Sequence, residues 1–130
     1  MGRRSFNIDL ICTVKNEFSN IKSLISDLNK QTEVPNRIVI VDGGSNDGTW
    51  EILEKYKKKG VDKIISKKDP NMWAAMNRGI KISRGEIICM LNSDDFFTQN
   101  ALNIVAKYFK DNDIDYFFGA VKKIIVCAKF

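Results

Sequence analysis
The β-branched run Ile38 to Val41, led by Arg37, stops at Asp42 and passes at once into Gly43-Gly44-Ser45-Asn46-Asp47-Gly48, after which a helical pattern opens at Thr49. A short apolar run bounded by turn residues has the signature of a buried strand. Strand, carboxylate, glycine-rich turn and helix start in succession is how an α/β sheet delivers polar groups to the carboxyl edge of its strands. Asp42 is expected at that edge. There a carboxylate accepts hydrogen bonds from a ligand's N–H or hydroxyl groups, and the glycines let the ligand approach the backbone. The turn matches neither GxGxxG nor GxxxxGK[ST], and a calcium loop in this register would need a ligand where Gly43 stands. Taken alone, it is a turn and a helix cap.

The same alternation runs through the chain. Asn7 to Val14 predicts a first strand that ends in Lys15-Asn16-Glu17. Ser19 then caps a helix to about Gln31, with Ile21, Leu24, Ile25 and Leu28 on one face. After the strand leading to Asp42, Thr49 to about Lys59 reads as a second helix stopped by Gly60. Val61 to Ser66 follows as a third strand. Met72 to about Ser83 is a third helix, entered through the loop Lys67 to Asn71. Glu86 to Leu91 is a near-continuous apolar run, as expected of a central strand covered on both faces, and it breaks at Asn92-Ser93-Asp94-Asp95. Gln99 to about Lys110 is a fourth helix, with Leu102, Val105, Ala106 and Phe109 facing inward. Tyr116 to about Val126 supplies one or two more strands. This order predicts an α/β fold, a mostly parallel twisted sheet with right-handed crossovers and helices on both faces. At 130 residues, without repeats or a low-complexity linker, residues 1–130 are expected to form one domain. Val121 to Phe130 is apolar and basic with no closing turn or cap, and reads as a chain that stops in mid-fold.

Composition removes several classes of chemistry. There is no histidine, which excludes histidine bases, Ser-His-Asp triads and histidine-ligated metals. Lysine and arginine number 21 against 16 acidic residues, an excess of 5. It is concentrated in Lys55, Lys57, Lys58, Lys59, Lys67, Lys68 and the termini, which is first of all a solvated face; attraction of anionic substrates or peripheral contact with anionic lipid comes second. The lysines are not interleaved with aromatics, so no nucleic-acid partner is expected. Cys12, Cys89 and Cys127 lie in apolar runs without CxxC spacing and read as buried thiols of a reducing compartment. No stretch has signal-peptide form or the length of a membrane span, so a cytoplasmic protein is expected.

Polar groups leave the strands at four places: Thr13 to Glu17, Asp42 to Asp47, Asp69, and Asn92 to Asp95. In an open α/β sheet these meet in the crevice beyond the carboxyl ends. Asp94-Asp95 is the sharpest signal, because two adjacent carboxylates repel unless a cation relieves them. Such oxygens suit Mg²⁺ or Mn²⁺, and equally they suit the N-terminus of the following helix. In Met72 to Gly79 the apolar residues read as core, while Asn77 and Arg78 offer donors and Arg78 a charge able to neutralise phosphate.

Together, CTVKNE (12–17), VDGGSNDGT (41–49), Asp69 followed by MNRGI (to Ile80) and GEIICMLNSDD (85–95) resemble the family 2 glycosyltransferases of the GT-A fold, in order and in spacing. The resemblance covers the chain to about Phe97. It implies a Rossmann-like nucleotide-binding half of an inverting, metal-dependent transferase of the kind used in polysaccharide biosynthesis. Its donor would be a nucleoside-diphosphate sugar, a UDP-sugar first, and its acceptor a carbohydrate or lipid-linked hydroxyl. By matching position, Thr13, Glu17 and Asp42 would line the nucleoside pocket with Asp42 on the base. Asp69, Asn77 and Arg78 would border the nucleotide, and Asp94 and Asp95 would hold Mg²⁺ or Mn²⁺. Three departures stand out: Trp73-Ala74 replaces a frequent Tyr-Asp, the metal motif begins with Asn92, and the acceptor half with its catalytic base normally follows the metal motif by many tens of residues. No base is therefore assigned. The competing readings are a non-catalytic nucleotide-sugar-binding module or inactive fragment and, last, a nucleotidyltransferase, whose glycine-rich first loop CTVKNE lacks. A missing acceptor half would also bare apolar sheet surface and favour self-association.

Overall fold
The structure, a computed structural model, describes residues 6–30, 35, 37–57, 63–92, 100–120 and 124–129, with side chains up to residue 116 apart from Lys63. Four βα units come first: β1 (Ile8–Val14), α1 (Ile21–Asn29), β2 (Arg37–Asp42), α2 (Thr49–Tyr56), β3 (Lys63–Ser66), α3 (Met72–Ile82), β4 (Ile87–Asn92) and α4 (Ala101–Asp111). Two strands follow, β5 (Tyr116–Ala120) and β6 (Ile124–Lys129). The sheet order is β3-β2-β1-β4-β6-β5. Strands β3, β2, β1 and β4 run parallel, whereas β6 pairs antiparallel with both β4 and β5. The expected mostly parallel α/β sheet is therefore present.

Alternation along the strands builds two cores. Ile8, Leu10, Cys12 and Val14 of β1 face the same side as Ile38, Ile40, Ile64, Ile87, Cys89 and Leu91. There they meet the apolar stripes of α1 (Ile21, Leu24, Ile25, Leu28), α2 (Ile52, Leu53) and α4 (Ala101, Leu102, Val105, Phe109). On the opposite face Ile11, Val39, Val41 and Ile88 pack under α3 through Ala75. Both faces are covered, which is why β1 is buried at every position, the polar Asp9 and Thr13 included. Helix α3 comes in very close: a Cβ on Gly79 would stand 2.5 Å from Ile11 Cγ2. At the amino end of the sheet the buried Asp9 carboxylate accepts from Arg84 N at 2.8 Å and lies 3.6 Å from the Arg37 guanidinium.

Some expected boundaries shift. Helix α1 is preceded by Asn20 rather than capped by Ser19, and no side chain caps it; the Glu17 carbonyl accepts from Asn20 N and Ile21 N. Gln31, Gly60 and Gln99, expected at helix ends, and Val61, expected to open β3, lie outside the described residues. Of the terminal apolar run, Ile124–Lys129 forms β6, which lies beside β4, inside the sheet. Cys12 and Cys89 are buried, as expected. No helix among the described residues is long and apolar enough to cross a membrane.

Candidate functional site
The chain first steps outward from β1 to β2 to β3, then crosses back to place β4 on the other side of β1. That reversal opens a crevice at the carboxyl end of β1, the position where open α/β sheets take ligands. A cleft of about 370 Å³ lies there, of the size small-molecule sites have. Thr13, Val14, Lys15 and Glu17 line it from the end of β1, Gly43 from β2, Asn92 from β4, and Asp69 to Met72 with Ala75 from the start of α3.

Three of the sequence-predicted residues thus meet in one cavity: Thr13, Glu17 and Asp69. The Thr13 hydroxyl donates to Asn92 Oδ1 at 3.3 Å and joins the two central strands across the crevice floor. Asp69 is buried and takes a two-pronged contact from Arg78, one prong at 3.1 Å. Such a fork fixes both carboxylate oxygens and ties the loop to α3. Arg78 accordingly stands behind Asp69 and outside the lining, and Asn77 is exposed on α3, also outside it.

Asp42 is placed differently. Its side chain is fully buried and accepts from Gly44 N at 3.3 Å, Ser45 N at 3.1 Å, the Ser45 hydroxyl and the Ser66 hydroxyl at 2.7 Å. The carboxylate organises its own turn. A contact from it to a base would require some of those bonds to be exchanged. Gly43, one residue on, forms the wall that faces the cleft.

The turn is laced to the loop after β1. Asn16, at φ 53°, donates from its backbone N–H to Ser45 Oγ at 2.8 Å and accepts from Asn46 N at 2.9 Å. Glu17 N donates to Thr49 Oγ1 at 2.9 Å, and Phe18 N to Asp47 Oδ2 at 3.1 Å. Gly44 and Gly48 sit at φ 93° and 97°, where only glycine is at ease. Asp47 also accepts from the Thr49 hydroxyl and from Thr49 N at 3.0 Å. The hydroxyl bond, first, and the N–H bonds hold the Asp47 carboxyl below its ordinary value of 3.8.

Asp94 and Asp95, the expected metal ligands, lie outside the described residues. Among the described residues no three Asp, Glu, Cys or His side chains gather closely enough to hold a metal ion. Of the two carboxylates on the cleft, Asp69 is committed to Arg78, and Glu17 accepts from Asn20 Nδ2 at 3.1 Å. The described residues thus form a cleft of small-molecule size without a metal centre of their own.

Sequence reasoning missed the wall made by Pro70, Asn71, Met72 and Ala75. One signal for it was present: Asn71 precedes the helical pattern, and in the structure it caps α3, its side chain accepting from Ala74 N at 2.9 Å.

Residues 9–129 match the sequence model of the family described as Glycosyl transferase family 2. The cholesterol galactosyltransferase of Borreliella burgdorferi is 28% identical over 126 residues, which cover 96% of this chain and 33% of that protein. The structure of S. aureus TarS 1–349 in complex with UDP-GlcNAc superimposes with a TM-score of 0.73 at 24% identity, over 85% of this chain and 33% of that one. The mannosyltransferase PcManGT from Pyrobaculum calidifontis, in complex with GDP-Man and Mn²⁺, reaches a TM-score of 0.81 at 15% identity, over 98% of this chain and 45% of that one. At these identities the two superpositions establish the fold. The chain spans between about a fifth and a third of the length of the curated relatives it matches.

Proposed function
The chain belongs to glycosyl transferase family 2, and from that premise we propose that it is the donor-binding portion of a transferase using a nucleoside-diphosphate sugar, a UDP-sugar first. One observation carries the reading: the matched segment folds into a cleft at the carboxyl edge of β1, and Thr13, Glu17, Asp69 and Asn92 come together in it. A TarS structure containing UDP-GlcNAc and the PcManGT structure containing GDP-Man and Mn²⁺ support a nucleotide-sugar ligand for this fold.

In the proposed complex the nucleoside lies toward Gly43 and the diphosphate toward Asn92. Asp69, held by Arg78, accepts from a nucleoside hydroxyl, and Glu17 borders the same end. Thr13 and Asn92 fix the floor beneath the diphosphate. Asp94 and Asp95 follow Asn92 directly and are the proposed holders of Mg²⁺ or Mn²⁺. Such an ion, when bound, neutralises charge that develops on the departing diphosphate. The acceptor, a carbohydrate or lipid-linked hydroxyl, gives its proton to a carboxylate outside the residues assigned above. Its oxygen bonds to the anomeric carbon as the bond to the β-phosphate breaks, from the opposite face and hence with inversion.

Calorimetry of the folded chain with UDP and with GDP, each with and without Mn²⁺, tests this reading. The expected result is UDP binding that Mn²⁺ strengthens and Asp95→Ala returns to its metal-free level. Protein shown to be folded by circular dichroism that binds neither nucleotide would overturn it.

A further inference from the structure
The three cysteines of the chain fall on neighbouring strands, Cys12 on β1, Cys89 on β4 and Cys127 on β6, which stand side by side in the order β1-β4-β6. We propose that Cys89 and Cys127 form a redox couple, closing into a disulfide that ties β6 to β4 when the protein meets a peroxide. The nucleotide-sugar reading uses neither thiol, and its failure would leave the couple untouched.

Register selects the pair. In the antiparallel ladder of β4 and β6, Cys89 stands directly opposite Cys127. Directly opposed residues of such a ladder share a face of the sheet, with Cα atoms about 4.5 or about 5.5 Å apart according to the hydrogen bonding of the pair. Both separations fall within the roughly 4.4–6.8 Å that a disulfide spans. Cys12 faces the same core as Cys89 but is out of step with it. The β1 residue beside Cys89 is Leu10, and Cys12 is paired with Leu91. One strand spacing combined with two residues of rise puts the Cα atoms of Cys12 and Cys89 about 8 Å apart. No disulfide bridges that gap without backbone movement. Cys127 lies one strand further still from Cys12.

The oxidant is hydrogen peroxide. One thiolate attacks a peroxide oxygen and the O–O bond breaks, leaving a sulfenic acid and a hydroxide that takes up the first thiol's proton. The second sulfur then attacks the sulfenic sulfur, and its proton leaves with the hydroxyl as water. Two thiols and one peroxide become one disulfide and two waters. Cys89 is fully buried, and buried thiols are inert while they stay so. Peroxide therefore reaches the couple when β6 parts from β4, and the return of the strand brings the two sulfurs together. The closed bond fixes the strand that ends at Asn92 in the cleft.

Peroxide treatment of the folded chain, followed by blocking of the remaining thiols and mass spectrometry of an unreduced digest, tests the couple. The expected product is a Cys89–Cys127 cross-link within one chain, with Cys12 unoxidised, reversed by dithiothreitol. Oxidation is expected to quicken in urea below the unfolding midpoint, and the oxidised chain to unfold at higher urea than the reduced one. Cys12→Ala should change neither result, whereas Cys127→Ala should abolish both the cross-link and the stabilisation. In denaturing urea the preference for this pair over Cys12–Cys89 is expected to fall to about three-fold, which its shorter loop alone gives. A bond between Cys12 and Cys89 in the folded chain, bonds between chains only, oxidation that stops at sulfinic acids, or no loss of thiols would each overturn the proposal. So would a preference in denaturing urea equal to that of the folded chain, since register would then not be what chooses the pair.

Discussion
Asp42 shows what one residue can be read for and what it cannot. Its position at a strand's carboxyl end was legible from the apolar run before it and the glycines after it. Its partners were not, because one of them, Ser66, lies 24 residues away on β3. Replacing Asp42 by Ala leaves Gly44 N, Ser45 N and the Ser66 hydroxyl short of an acceptor in a partly buried place. Removing one partner of such bonds costs about 1–3 kcal/mol. Urea unfolding of Asp42→Ala is expected to show a loss of that size, with Asp42→Asn intermediate. Unchanged stability would mean that the carboxylate does not hold the turn. Thr13 and Asp69 were more fully legible, since each was placed by its strand or loop alone. Arg78 was named for phosphate and is found holding Asp69, a partner nine residues away that no local pattern announces.

Among elements, type and order were legible because each helix carries its own apolar stripe and each parallel strand its own apolar run. Ends were less so. The sequence offers Ser19 as a cap for α1, yet the backbone of Glu17 does that work, and the loop is held by bonds to the second turn as well as by its own residues. Those two loops act as one unit through Asp47, which accepts from Phe18 N of the first loop and from Thr49 of the second. The Asp47 carboxyl is held below 3.8 in the folded chain, so its bonds contribute fully above that value. As pH falls through the lowered folded value, the carboxylate takes a proton and the contribution is lost. NMR titration is expected to show the Asp47 carboxyl and the Thr49 amide moving together with a midpoint below 3.8. Asp47→Asn should abolish the amide's response. A midpoint at or above that value would mean that the two loops are not joined there.

For the molecule as a whole, the parallel half of the sheet was legible and the strand order was not. Period and alternation fix which residues face a core, but nothing local says that β6 inserts between β4 and β5. The coverage is also lopsided. Three helices pack on one face, and among the described residues α3 alone packs on the other. Global stability is therefore exposed at Gly79, where an added methyl would meet Ile11 at 2.5 Å and Val41 at 3.3 Å. Gly79→Ala is expected to lower the unfolding free energy by about 1–3 kcal/mol, as overpacking does, with a lower urea midpoint and an unchanged slope. A wild-type midpoint would show that α3 can lift off its sheet without cost. The bond between Thr13 and Asn92 has a kinetic consequence. It closes a separation of 79 residues, whereas β1 and β2 are joined by a single helical connection. Loop-closure entropy disfavours so distant a pairing until shorter ones have formed. The β1–β2 side of the cleft can thus assemble early in refolding, while its floor waits for β4. On the proposed reading, nucleotide binding would report the arrival of β4 and not the collapse that precedes it.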